Sequence, residues 1–137
     1  MVITGGSQGT GLALARLLLK EEGAVVTLMA RNRNNLKEAV QRLTEEVEAK
    51  PTSIKAGETA PSKRVYMVSV DLSDADATAN AFTEAVRQSG LPLQACFCCA
   101  GAARPTLFTE QRRDRLSFEM QADFLTAANT AHVPFFR

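Results

Sequence analysis

Apolar residues fall into two rhythms along this chain: short unbroken runs, and longer stretches where they recur every three or four positions. Val2 and Ile3 read as the end of a buried strand, and a glycine-rich turn over residues 4–11 follows. Residues 12–21 predict a helix with Leu12, Ala15 and Leu19 on one face, and Gly23 suits its C-terminal cap. Residues 24–30 (AVVTLMA) form a continuous apolar run, as expected of a strand covered on both faces. A second helix is expected over residues 34–49, where Leu36, Val40, Leu43 and Val47 keep helical spacing. The polar segment at 49–64 carries two prolines and a glycine and reads as a long exposed loop. Residues 65–72 (VYMVSVDL) predict a third strand. Ser73 can then cap a helix over 74–89, with Ala81, Phe82, Ala85 and Val86 inward. After a Gly90-Leu91-Pro92 turn, residues 93–99 (LQACFCC) predict a fourth strand. A last helix is expected over 109–131, with Leu116, Met120, Phe124 and Ala127 on its apolar side. The tail from His132 fits that pattern poorly and reads as part of another, substrate-side or membrane-facing segment.

Strand and helix alternate at spacings that suit crossovers. The expectation is one α/β domain over residues 1–137, a doubly wound parallel sheet of the Rossmann type in three α/β/α layers. Ligands of such sheets bind at the carboxyl ends of the strands, where the winding direction reverses.

Composition narrows the partners. The 137 residues are 45% hydrophobic, enough for a core, so a disordered chain is excluded. Sixteen basic residues against fifteen acidic ones leave a net charge of +1, which speaks against an electrostatic nucleic-acid binder. No run of apolar residues is long enough to span a bilayer, and Met1 leads straight into strand-like residues without a signal peptide. By itself the segment reads as cytosolic and soluble. Cys96, Cys98 and Cys99 crowd one strand without a second pair, so they read as small apolar side chains rather than metal ligands, and no metal site is expected.

The chemistry sits at the strand ends. TGGSQGTG at 4–11 joins a strand to a helix, where free backbone N–H groups and the helix dipole favour an anion. Glycine allows a tight turn, close approach of a pyrophosphate, and close helix–strand packing. No lysine follows the last glycine, so this is not a P-loop; a bare glycine-rich turn is the alternative. An acidic residue some 20 positions on would hold the ribose 2′-hydroxyl of NAD. Arg31 stands there instead, and a guanidinium suits a 2′-phosphate, which favours NADP(H) over NAD(H). Arg33 and Lys37 add positive field. The competing reading is a solvated helix-entry arginine. Asp71 and Leu72 end the third strand, suited to an adenine amino group and ring face, or else simply to a helix N-terminus. Cys98-Cys99-Ala100-Gly101 ends the fourth with small side chains that let a ribose or nicotinamide approach.

Together, TGGSQGTG at 4–11, ARN at 30–32, DL at 71–72 and CCAG at 98–101 resemble the short-chain dehydrogenase/reductase family over nearly the whole chain. The resemblance implies cofactor contacts at Gly5, Ser7, Gln8, Gly9, Thr10, Gly11, Arg31, Asp71, Leu72, Ala100 and Gly101, with NADPH as cofactor. It implies reduction of a ketone to an alcohol. Within the family the pattern is most similar to reductases of long-chain 3-keto amino lipids in sphingolipid synthesis, at the cytosolic face of the endoplasmic reticulum. Another carbonyl substrate of 3-oxoacyl type, or a non-catalytic NADP-binding interaction protein, are the alternatives. The family often pairs through its fourth and fifth helices, which implies a homo-oligomer. Membrane association would come through segments outside these residues.

Two departures stand out. The family's Asn-Asn-Ala-Gly is Cys98-Cys99-Ala100-Gly101 here, and its helix-four Asn aligns with Asp123, which is otherwise an ordinary surface aspartate. The family's catalytic Ser and Tyr-x-x-x-Lys have no counterpart, since no Tyr or Lys follows Tyr66. The expectation is that only the N-terminal half of the fold is visible, with the later strands and the catalytic helix outside it.

Overall fold

The computed structural model describes residues 1–49, 63–102 and 107–135. Four strands, β1 (Val2–Thr4), β2 (Val26–Ala30), β3 (Val65–Ser69) and β4 (Cys96–Cys98), form one parallel sheet in the order β3-β2-β1-β4. The winding therefore reverses at β1, and the crevice of a doubly wound sheet opens between the exits of β1 and β4. Helices α1 (Gly9–Glu21) and α2 (Arg33–Ala49) cover one face, while α3 (Ala75–Ser89) and α5 (Thr126–Phe135) cover the other. A short 3₁₀ turn (Phe108–Glu110), α4 (Arg113–Glu119) and a π-helical turn (Met120–Leu125) lead into α5.

Strand alternation divides the core in two. Ile3, Val26, Leu28 and Val65 point to one side and meet Ala15, Leu19, Leu36, Ala39 and Leu43 of α1 and α2. Val2 and Met29 point to the other and meet Ala81, Phe82, Ala85 and Val133. The three layers and the parallel sheet are as the alternation predicts.

Several boundaries move, for local reasons. Helix α1 begins at Gly9 rather than at residue 12, because the glycine turn supplies its first turn, with Leu12 N–H donating to the Gln8 carbonyl at 3.3 Å. Gly23 has φ of +63° just beyond the Glu22 cap, as expected. Arg64 closes the same end by donating to the carbonyls of Leu19 and Ala24. Asp74, not Ser73, caps α3: its Oδ1 accepts from Ala77 N–H at 2.8 Å, while the Ser73 hydroxyl donates to Asp71 at 2.8 Å. Val86 is exposed, not inward. Strands β3 and β4 are shorter than their apolar runs, since both lie at sheet edges where pairing ends early. The bulk of the loop expected at 49–64 lies outside the described residues.

The last helix departs most. Met120 and Phe124, expected inward, are 57% and 60% exposed. The buried positions are Ala122, Thr126, Thr130 and Val133. These keep helical spacing but lie on a different face from the apolar stripe, and the π turn over Met120–Leu125 falls where the two faces part. Thr126 and Thr130 tolerate that burial because each hydroxyl donates to the carbonyl four residues earlier, at 2.5 and 2.6 Å. The helix also runs on through His132 and Val133 to Phe135, since Val133 packs into the cluster with Phe82 and Ala85.

One ion cluster ties α1 to α2. Glu46 receives Arg16 Nε at 2.8 Å and Lys20 Nζ at 2.7 Å, and their hydrogen bonds hold its carboxyl down at about 2. A depressed carboxyl stabilises the fold above its unfolded pKa and loses that contribution as pH falls from about 4.5 toward 2. The groups are part-exposed, so the gain is about 1 kcal/mol or less. Urea titrations of wild type and Glu46→Gln should therefore differ at pH 6 and converge near pH 2. A gap that persists undiminished in acid would contradict this assignment.

Candidate functional site

The exits of all four strands border one cleft of about 510 Å³. Its first wall is the turn after β1. Gly5 adopts φ +63°, and a Cβ there would stand 2.6 Å from the Cys99 carbonyl oxygen, so the turn lies directly on the exit of β4. Thr4 Oγ1 joins the two exits: it donates to the Phe97 carbonyl at 3.3 Å and accepts from the Cys99 and Ala100 N–H groups at 3.1 and 3.2 Å. Thr4 is 1% exposed, and no local sequence pattern marks it for this role.

Helix α1 starts from this turn with no side-chain cap at Gln8 and no acidic residue in its first turn. Its leading N–H groups thus face the cleft with the positive end of the helix dipole. By contrast, Asn32 Oδ1 caps α2 by accepting from the Asn34 and Asn35 N–H groups at 2.9 and 3.1 Å.

Every expected contact except Gly11 lines the cleft: Gly5, Ser7, Gln8, Gly9, Thr10, Arg31, Asp71, Leu72, Ala100 and Gly101. Gly11 is buried behind it, where a Cβ would lie 2.5 Å from the Gly5 carbonyl oxygen. Arg31 is exposed at the end of β2, and its carbonyl accepts from the Ser69 hydroxyl at 2.9 Å. Asp71 Oδ1 accepts from the backbone N–H and the hydroxyl of Ser73, at 3.0 and 2.8 Å. Those bonds lower the Asp71 pKa, and the positive charge of Arg31 adds to the effect. Asp71 therefore both borders the cleft and shapes the loop that enters α3.

Asp123 does not line the cleft, yet it is no idle surface residue. Its Oδ1 accepts from Ala102 N–H at 2.7 Å and fixes the chain just beyond β4. Asn32, Asn35, Ser73, Phe118, Gln121 and Thr126 also border the cleft and were not expected there. Asn32 could have been read from its cap position before two more asparagines, and Asn35 and Ser73 from their places just after β2 and β3; Phe118, Gln121 and Thr126 come from α4, the π turn and the start of α5, whose placement no local pattern gives. Cys96 and Cys99 are half-buried and Cys98 is exposed, so these thiols are only in part the buried side chains expected, as befits an edge strand. Burial pushes Cys96 up to about 12. Tyr66 lies on β3 away from the cleft, beside Lys63 Nζ at 4.9 Å from its ring centre.

The profile of the KR domain matches residues 1–133. The chain belongs to this family of short-chain dehydrogenases/reductases. Among curated relatives, the 3-ketodihydrosphingosine reductase ksrA of Aspergillus fumigatus is 35% identical over 96% of this chain and 33% of its own length. The 3-ketodihydrosphingosine reductase TSC10 of Cryptococcus neoformans is 32% identical over 95% of this chain and 35% of its own. The KR-domain chain thus spans about a third of the length of these two relatives. Among solved structures, an NADPH-bound short-chain oxidoreductase of Pseudomonas aeruginosa PAO1 is 30% identical with a TM-score of 0.77, matched over 96% of this chain and 46% of its own. The L-sorbose reductase of Gluconobacter frateurii, complexed with NADPH and L-sorbose, is 29% identical with a TM-score of 0.74, over 96% and 44%. Among the described residues no helix is long and apolar enough to cross a membrane.

Proposed function

We propose that residues 1–137 form the NADPH-binding part of a ketone reductase that converts 3-ketodihydrosphingosine to dihydrosphingosine. The observation that carries the cofactor is the cleft itself: an uncapped helix N-terminus beside β1, with Arg31 at the end of β2 where an NAD site would present a carboxylate. The cleft of about 510 Å³ is open beside Gly9, where nothing lies within 4 Å of a Cβ position, and that space supports a diphosphate there. Backbone N–H groups from Gly5 to Thr10, with the side chains of Ser7 and Thr10, would hold the diphosphate. Arg31 would hold the 2′-phosphate, Asp71 and Leu72 the adenine, and Ala100 and Gly101 the nicotinamide-side ribose. Asp123 would act through the Ala102 N–H to keep the β4 exit in place. When bound, NADPH supplies a hydride to the keto carbon. The chain's part is to orient it; the group that donates the proton is expected outside residues 1–137, because no Tyr or Lys follows Tyr66.

Similarity to the two fungal relatives named above supports this choice of substrate. The free edge of β4, with an apolar groove beside it lined by Phe82, Leu93, Cys96, Cys98 and Ala131, supports further strands of the same sheet in the complete protein. Exposed Phe118, Met120, Phe124 and Leu125 support self-association through the α4–π turn–α5 stretch.

Two measurements test the proposal. Calorimetry should show NADPH binding with NADH at least tenfold weaker. Turnover of the complete enzyme, followed by loss of NADPH absorbance, should favour 3-ketodihydrosphingosine over a 3-oxoacyl thioester. Binding without turnover of any ketone would favour the non-catalytic reading, which the missing Tyr and Lys would then explain. Absence of heat with NADPH would remove the proposal altogether.

A further inference from the structure

We propose that Asn129 on α5 is a positioning residue for the adenine end of the nucleotide cleft. The inference rests on the nucleotide reading above and extends it to a residue that borders no part of the cleft. Asn129 is half-buried, and its Nδ2 donates to the carbonyls of Leu72 and Ser73 at 3.0 and 3.1 Å. Those carbonyls belong to the loop that carries Asp71 and Leu72 along the cleft wall.

The loop's own bonds are local. Asp71 folds back on Ser73, Asp74 caps α3 through Ala77, and Thr78 Oγ1 reaches the Leu72 carbonyl at 3.3 Å. These set the shape of the loop, while the Val70 N–H donating to the Ala30 carbonyl at 3.0 Å and the buried side chain of Leu72 seat its start against the sheet. Asn129 adds the side-chain tie from α5 to the carbonyls of Leu72 and Ser73, across 57 and 56 residues of sequence. Its neighbours on the inner face cannot replace it, because the hydroxyls of Thr126 and Thr130 are spent on carbonyls of their own helix. The same helical stretch is pinned through Asp123 to Ala102 after β4. One helix thus holds both sides of the cleft, with Asn129 serving the side expected to take adenosine.

The experiment measures affinity of the full chain for 2′,5′-ADP, which carries only the adenosine half, and for NADPH. Asn129→Ala should weaken both by the same factor, about fivefold to tenfold for two lost hydrogen bonds. Asn129→Asp keeps the volume but removes the amide donor and should do the same, which guards against a packing defect in the alanine variant. Asn129→Gln keeps the donor and should recover most of the affinity. Hydrogen exchange at the Ser73 and Asp74 amides should quicken in the alanine variant and return toward wild type in the glutamine one. Unchanged 2′,5′-ADP affinity in Asn129→Ala, or a loss confined to NADPH, overturns the inference while leaving the cleft assignment intact. Wild-type protein that binds neither probe overturns the cleft assignment and this inference with it.

Discussion

Gly5→Ala should lower the melting temperature by about 10 °C and remove measurable NADPH binding. Two costs act at once. The residue sits at φ +63°, where an L side chain costs roughly 1–2 kcal/mol. The new methyl would also meet backbone rather than side chain, 2.6 Å from the Cys99 oxygen and 2.8 Å from the Ala100 nitrogen. Backbone cannot rotate aside as a side chain can, so overpacking adds about 1–3 kcal/mol. At a few degrees per kcal/mol for a chain of this size, the sum gives the stated shift. The affinity loss has a separate cause. Relief of the clash must part the β1 turn from the β4 exit, and that strains the bonds of Thr4 Oγ1 to Phe97, Cys99 and Ala100. Gly9→Ala is the control: its φ of +54° carries a similar backbone cost, but no atom lies within 4 Å of the added methyl. It should fold with a much smaller loss of stability. Thermal denaturation followed by circular dichroism decides the matter, and a Gly5→Ala protein that melts with wild type would refute the packing argument.

The features legible in the sequence are those fixed by neighbours along the chain. The stripe of Leu36, Leu43 and their companions needed only helical spacing, and all are buried as expected or half-buried. The turn at 4–11 and the end of α1 are legible because glycine at Gly5 and Gly9, and at Gly23, meets a backbone demand, a positive φ, that is itself local. Arg31 and Asp71 are legible because each lies just beyond a strand end, and the ends of parallel strands converge on one cleft.

What escaped depends on partners far along the chain. Met120 and Phe124 are apolar at the right spacing, yet the inner positions go to Ala122 and Thr126. A stripe of alanine and threonine carries little hydrophobic signal, so periodicity selected the wrong face. Asp123 and Asn129 look like solvated helix residues until the loops after β4 and β3 come to meet them. Ser73 and Asp74 are both good caps, and only the Asp71 side chain, by engaging Ser73, settles which of them serves α3. For Asp123 and Asn129 a tertiary hydrogen bond overrode a local preference, while for Ser73 and the last helix the competing bonds are local ones that spacing does not rank.

Arg31→Asp should reverse the cofactor preference. Arg31 is exposed and its side chain is not part of the core, so the substitution should leave the melting temperature within about 2 °C of wild type. A guanidinium on a 2′-phosphate makes charge-assisted bonds worth about 1.5–3 kcal/mol each. Their loss, joined to repulsion from the new carboxylate, predicts NADPH binding weaker by about 100-fold or more. NADH should gain, because a carboxylate at the end of β2 can accept from the 2′-hydroxyl. The gain is smaller than the loss, as Asp71 faces the same cleft and its carboxyl, now held low partly by the Arg31 charge, would meet a like charge instead. Both carboxylates stay ionised between pH 8 and pH 5, since the Ser73 bonds hold Asp71 below the usual carboxylate range, so the NADH affinity of the variant should stay flat over that interval. Arg31→Ala separates the two effects: it should lose NADPH affinity without any NADH gain. Titrations of both cofactors against the three proteins provide the check. An Arg31→Asp protein with undiminished NADPH affinity would mean that the guanidinium never touches the 2′-phosphate, and the cofactor choice would have to come from Arg33, Lys37 or the N-terminus of α2 instead.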